Sequence, residues 1–209
     1  MKIDVILTVL MAGVLATAGC SKPATTTTKA ASPAAPVAKV AEKKTVPAGK
    51  VVPVPANWIT MSDDQKGYGF EVPEGTEHKT MNSEGMDIFF AKTAEPSSVS
   101  VFVMAFKDKT LTKDDLLKFA SKFLENMAEK NIKIGDLTEL SDDYSLATIS
   151  SVDAKGKTTR GKVLVATDVS DNYVMLLGTD DAEYKENEKI IDGIWGSFTM
   201  RSGGASGAS

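Results

Sequence analysis

One cysteine and one histidine occur among the 209 residues. With Cys20 alone, the chain can form neither an internal disulfide nor a cysteine-cluster metal site. With His78 alone, any Ser-His-Asp or Cys-His machinery would have to use that residue, and no serine sits in a G-x-S-x-G elbow. A glycine-rich phosphate loop is also missing. No apolar run reaches the roughly 20 residues that a membrane-spanning helix needs; the stretch from Val5 to Leu15 meets Cys20, Ser21 and Lys22 too early. Catalysis by a familiar constellation is therefore not the expectation, and neither is an integral membrane protein of the helical kind.

Net charge is the next scarcity. The formal −4 conceals an asymmetry: Ser21 to Ala56 holds six Lys and one Glu, a net +5, whereas Asn57 to Ser209 holds 17 Lys+Arg against 26 Asp+Glu, a net −9. An acidic body argues against a nucleic-acid partner. The 42% hydrophobic and 25% charged content is ordinary for one globular domain of about 100–200 residues.

What is present begins at the N-terminus. Met1-Lys2-Ile3-Asp4, an apolar region to Leu15 and the small residues Ala16-Thr17-Ala18-Gly19 form the three parts of a secretory signal, residues 1–19. Leu15-Ala16-Thr17-Ala18-Gly19-Cys20 resembles a lipobox, the site at which bacterial lipoprotein signal peptidase cuts before a diacylglycerol-modified cysteine. In an ordinary secretory signal the cysteine would be incidental, but the only cysteine of the chain falls at the cleavage point. The resemblance implies acyl chains, palmitate among them, on Cys20. Each buried methylene contributes about 0.8 kcal/mol, so more than one chain anchors stably without crossing the membrane. Ser21 resembles the second residue of lipoproteins sent to the outer membrane, which implies a cell-envelope protein facing the periplasm.

Residues 20–56 then read as the lipidated cysteine and a tether. Ala, Thr, Pro, Lys and Val dominate, with a Thr25 to Thr28 run and no aromatic residue, a composition unable to offset its ordering entropy by burial. Its lysines have anionic lipid or peptidoglycan as conceivable partners, or simply water. Residues 202–209, rich in Gly, Ser and Ala, read as a flexible tail.

Between them, residues 57–201 carry the periodicities of a folded domain. Trp58 to Met61 and Tyr68 to Val72 are predicted strands joined through Asp63-Asp64-Gln65-Lys66-Gly67 as a hairpin, followed by Met86 to Ala91 and Val99 to Phe106. The last of these has apolar residues on both faces, Val99, Val101, Val103 and Ala105 against Phe102, Met104 and Phe106, which marks a central strand covered on both sides. Thr112 is a predicted N-cap for a helix in which Leu116, Leu117, Phe119, Ala120, Phe123, Leu124, Met127 and Ala128 recur at helical spacing. A meander of Ile132 to Leu140, Ser145 to Asp153, Thr158 to Thr167 and Tyr173 to Gly178 follows, then a second helix capped near Thr179-Asp180-Asp181 and ending near Gly196. On that helix Tyr184, Glu188, Ile191 and Trp195 are expected to share a face. The expected class is α+β, an antiparallel sheet of about six strands between two helical layers.

Candidate sites are few. His78 with Glu74 and Glu77 could hold a divalent cation, yet one histidine among carboxylates on a glycine-containing loop has no ligand spacing, and a solvated loop is the plainer reading. Asp63-Asp64, Asp142-Asp143 and Asp180-Asp181 stand where turns and caps are expected. Trp58, Trp195, Tyr68 and Tyr173 fit a core better than a ligand groove. Lys107, Lys109, Lys113, Lys118 and Lys122 mark a basic approach to the first helix, most simply a solvated face. No cofactor is expected.

Two segments carry a family resemblance: Gly67-Tyr68-Gly69-Phe70-Glu71-Val72-Pro73, and Ile190-Ile191-Asp192-Gly193-Ile194-Trp195-Gly196-Ser197-Phe198. With the order of elements between them, the domain resembles the PsbP-like fold shared by the photosystem II extrinsic subunit, a Ran-binding import factor and DcrB-type lipoproteins. The resemblance covers Trp58 to Met200 and implies a binding or assembly module, here with an envelope protein partner, more than an enzyme. A small-ligand or metal-binding lipoprotein is the alternative, and a hydrolase of unfamiliar mechanism the third.

Overall fold

The computed structural model describes residues 43–47, 52–83, 86–108, 110–168 and 171–201. The signal segment, Cys20, most of the tether, Lys109 and the tail lie outside the described residues. Twelve strands and two helices follow in order: β1 (Lys43–Thr45), β2 (Ile59–Asp63), β3 (Tyr68–Val72), β4 (Glu77–Ser83), β5 (Met86–Lys92), β6 (Ser100–Phe106), α1 (Lys113–Asn126), β7 (Lys130–Ile134), β8 (Thr138–Glu139), β9 (Tyr144–Val152), β10 (Thr158–Thr167), β11 (Asn172–Asp180), α2 (Tyr184–Gly196) and β12 (Thr199–Arg201). The strands form two antiparallel sheets, β4-β5-β6-β11-β10-β9-β7 with β8 beside β9, and β1-β12-β3-β2. The α+β class stands, but the single sheet of about six strands is corrected to one of eight and one of four.

Each face of the large sheet has its own core. Residues Phe102, Met104, Val163, Val165, Val174 and Leu176 meet Leu116, Ala120 and Phe123 of α1. Their neighbours Val101, Val103, Leu164, Met175 and Leu177 meet α2 and the inward residues Phe70, Val72 and Met200 of the small sheet. The alternation expected of β6 is thus realised, with side chains of successive residues packing in opposite layers.

Thr112 caps α1 as the sequence indicates: its Oγ1 accepts from the Asp115 amide at 3.2 Å, while an Asp115 oxygen accepts from the Thr112 amide at 3.2 Å. The helix closes on Glu129 N–H donating to the Leu124 carbonyl and Ala128 N–H to that of Glu125. Ala128 there takes φ 66°, a left-handed position usually given to glycine. In α2 the buried face runs through Tyr184, Asn187, Ile191, Ile194 and Trp195, whereas Glu188 is exposed. That corrects the expected face by one position. Burial of Asn187 is compensated because its amide donates to Thr179 Oγ1 at 2.9 Å.

Further corrections concern the polar strands. The stretch containing His78 is not a loop but β4, paired residue for residue with β5. The expected strand Ile132 to Leu140 divides into β7 and β8, both on β9; between them, a Cβ on Gly135 would stand 2.6 Å from Thr148 Oγ1, so a side chain there would require the Thr148 side chain to shift. Residues 43–47, assigned by sequence to the tether, instead supply β1 on the edge of β12 and a buried Val46.

An ion pair fastens β1 to the body. Lys44 Nζ lies 2.8 Å from Asp168 Oδ1, whose side chain is 2% exposed, and 3.2 Å from Asp143 Oδ1. The hydrogen bond to Asp168 holds the ammonium above its ordinary range, and Tyr144 Oη donates to the Lys44 carbonyl at 3.0 Å. Removing one partner of a fully buried pair costs about 3–5 kcal/mol. Lys44 is about one-third exposed, so Lys44→Met is expected to cost about 1–3 kcal/mol. Faster amide exchange at Lys44 and Met200, with a lowered urea midpoint, is the expected signature; unchanged exchange would remove the clasp.

Candidate functional site

The residues singled out in sequence are dispersed. His78, exposed on β4, stacks on Phe89 with ring centroids 5.6 Å apart. Glu77 is its neighbour on the same strand, and successive strand residues point to opposite faces, so the two cannot share an ion. Glu74 is an exposed turn residue after β3. Among the described residues no group of three or more His, Cys, Asp or Glu is arranged to hold a metal.

The aspartate pairs have local roles. Asp63 Oδ1 accepts from the amides of Gln65 and Lys66, both at 3.0 Å, which fixes the β2–β3 turn. Asp180 binds Lys157 at 2.6 Å and accepts from the Ala182 amide at the start of a 3-10 turn that leads into α2; the Lys157 contact holds its carboxyl below the usual range. Asp143 serves the β1 clasp. Lys113 and Lys118 pair with Glu139 and Asp115, both at 3.4 Å, on a solvated helix face.

Of the four aromatics, Tyr68, Tyr173 and Trp195 are buried. Trp58 is half-buried over Gly193, where an added Cβ would come within 2.8 Å of the indole. Desolvation raises the phenol pKa of Tyr68, Tyr144, Tyr173 and Tyr184 above the ordinary 10.0. These are all four tyrosines of the chain. A group whose pKa is higher in the folded state stabilises the fold fully below its unfolded value, and that stability is lost as pH rises past it. Lys44 acts in the same direction. Tyrosinate absorbance is therefore expected to lag behind free tyrosine on alkaline titration and to rise together with loss of circular dichroism. Ionisation near pH 10 in a protein with unchanged circular dichroism would contradict the burial.

The feature that sequence reasoning did not single out lies beside α1. That helix packs chiefly on β7, β10 and β11, so the same sheet face over β4, β5 and β6 is only partly covered. Met81, Met86, Phe102 and Phe106 there are half-buried, and Lys79 Nζ stands 5.4 Å from the Phe90 ring centroid. Phe119 of α1 is 37% exposed and packs edge-on against Phe106 at 4.8 Å. Between helix and sheet, Met86, Met104, Phe119 and Lys122 border a recess of about 120 Å³. Methionine and phenylalanine together give an adaptable apolar surface of the type used at protein interfaces. Its signal in sequence was the second apolar face of β6 and Phe119, which looked like core alone.

The two resembling segments meet in space. Arg201 N–H donates to the Gly67 carbonyl at 2.8 Å, and the Tyr173 hydroxyl donates to the Lys66 carbonyl at 2.7 Å. Gly67 adopts φ 74°, which side chains disfavour. Ser197 Oγ accepts from the Glu71 amide at 2.9 Å and donates to the Ile194 carbonyl at 2.8 Å, tying the end of α2 to β3. The PsbP family model matches residues 56–200, and both segments lie within that match. The chain belongs to the PsbP family. Among solved structures, the cyanobacterial PsbP protein CyanoP of Synechocystis sp. PCC 6803 is similar with 15% identity and TM-score 0.52, over 70% of this chain and 94% of that one. LpqN of Mycobacterium tuberculosis, described as involved in cell envelope biogenesis, aligns with 14% identity and TM-score 0.41 over 78% of this chain and 92% of that one. No curated protein sequence matches. The likeness to CyanoP shows the PsbP fold, and the strand β1 precedes the matched region.

Proposed function

We propose that the protein is a lipid-anchored component of the bacterial cell envelope whose PsbP-type domain binds a protein partner through the Met/Phe-lined face beside α1. The supporting observation is that face: Phe119, Phe106, Met86 and Phe90 remain partly accessible although the same sheet has a helix available to cover them. Burying such side chains against a partner contributes about 25 cal/mol per Å² of apolar surface removed from water. The acidic body and the isolated His78 support binding over catalysis and over nucleic acid as the ligand. Ser21 after Cys20 supports the outer membrane, facing the periplasm, as the location.

Two experiments test the two halves of the reading. Cys20→Ser is expected to move the protein from the membrane to the soluble fraction and to abolish palmitate labelling; membrane retention of an unlabelled protein would reject the anchor. Photo-crosslinking residues placed in intact cells at Phe119 and Met86 are expected to capture a discrete protein, and one at Lys155, in the exposed β9–β10 turn, is not. Equal capture at all three positions, or none, would reject the face.

A further inference from the structure

The sheet face under α1 opens, at the C-terminal end of that helix, into a cavity of about 260 Å³ that meets the partner surface only at Phe102. Strand register explains why space is left there. One row across the sheet holds Phe90, Phe102, Leu176 and Val163. The next row on the same face, two residues along each strand, holds Lys92, Ser100, Gly178 and Gly161. Along the cavity wall, bulky side chains thus give way to the Ser100 hydroxyl and Gly178. Beyond them Asp180, Thr159 and Ser151 form a polar row, and Leu124 of α1 with Met127 just past its end makes an apolar roof, with Met127 46% exposed at the rim.

The charges around this space are unequal in their commitments. Asp180 is paired with Lys157, and Glu129 accepts a hydrogen bond from Ser151 Oγ at 2.6 Å, on the wall formed by β9. Lys92 lies on the opposite wall, with β6, β11 and β10 between, and makes no ion pair among the described residues. Small-molecule sites combine an apolar lining with a few convergent polar groups and start near 300 Å³, so this cavity suits a small ligand.

We propose that the cavity binds a small amphipathic carboxylate. Its head sits between the Lys92 ammonium and the Ser100 hydroxyl, and its apolar body lies under Leu124 and Met127 against Phe102 and Leu176. Glu129 repels a carboxylate from the far wall and so sets the direction of entry. This site adjoins the partner face, sharing Phe102 with it, but its polar groups Lys92 and Ser100 lie outside that face.

Octanoate, titrated into the full chain carrying Cys20→Ser and followed by methyl and amide NMR, is the probe. Saturable shifts at the Met127 methyl and the Ser100 and Gly178 amides are expected. Lys92→Gln, at an exposed strand end, is expected to weaken binding about tenfold or more through loss of the charged donor, and Glu129→Gln to leave it equal or tighter. Ser100→Leu fills the space and is expected to abolish binding with cooperative unfolding retained; if that variant fails to fold, Lys92→Gln decides alone. Tighter binding of octylamine than of octanoate, shifts at Met86 in place of Met127, an unchanged affinity in Lys92→Gln, or no saturable binding would each overturn the proposal.

Discussion

Gly161→Ala is expected to cost about 3 kcal/mol or more, which is a large share of the roughly 5–15 kcal/mol that holds a domain together. Gly161 lies within β10, paired on one side with Ile149 and on the other with Gly178. A Cβ there would overlap the carbonyl oxygen of Leu177 and stand 2.7 Å from its carbonyl carbon. The obstacle is backbone of the adjoining strand, not the end of a flexible side chain, so relief requires β10 and β11 to separate where the sheet is most continuous. Its neighbour in the same row is the control. A Cβ on Gly178 meets only the Thr159 methyl at 3.1 Å, and Gly178→Ala is expected to cost about 1 kcal/mol or less. Urea midpoints of the two variants should therefore differ widely, and equal midpoints would mean that β10 and β11 do not approach as closely as described.

That glycine pair illustrates what a sequence withholds. Local period and capping were legible: Thr112 as N-cap, the two-faced apolar pattern of β6 and the turn chemistry of Asp63 each act within a few residues. Sheet membership was not, since it rests on pairings such as Lys43 with Arg201, opposite ends of the folded chain. β4 escaped notice because an exposed edge strand has no buried face to impose alternation, and Glu77–Ser83 contains a single apolar residue, Met81. β1 hid in the Lys/Thr composition of the tether, and its place in the fold comes from Lys44 finding Asp168 far along the chain. The end of α1 lacked its usual mark because Ala128 occupies the left-handed position.

The candidate surfaces were hidden for a related reason. Phe119 and Phe106 have the identity and spacing of core residues, and only the placement of α1 toward β7, β10 and β11 leaves them accessible. Likewise Ser100, Gly178 and Gly161 are unremarkable in their own strands. Register alone sets them in one row, where Ser100 and Gly178 leave the space that becomes a cavity, while at Gly161 the backbone of β11 takes the place of a side chain.

Trp195→Ala is expected to cost about 3–5 kcal/mol, the range for truncating a buried aromatic residue. Trp195 is 4% exposed and belongs to the core between α2, the large sheet and the small sheet. Its Nε1 also donates to Asp192 Oδ1 at 2.8 Å, and the same carboxylate oxygen binds Lys162, whose side chain is 13% exposed. Truncation therefore removes packing and one donor to a partly buried carboxylate together. Trp195→Phe separates the two contributions in part: it keeps an aromatic ring in the core, loses the N–H and some ring volume, and is expected to cost about 1–2 kcal/mol plus a small cavity term. Tryptophan is also the residue most often found as an anchor at protein interfaces. If it played that part here, Trp195→Ala would unfold at a urea midpoint close to that of the wild type while losing the in-cell crosslink. A large fall in the midpoint for alanine, a smaller one for phenylalanine and retained crosslinking at Phe119 in the phenylalanine variant would place Trp195 in the core and leave partner binding to the face beside α1.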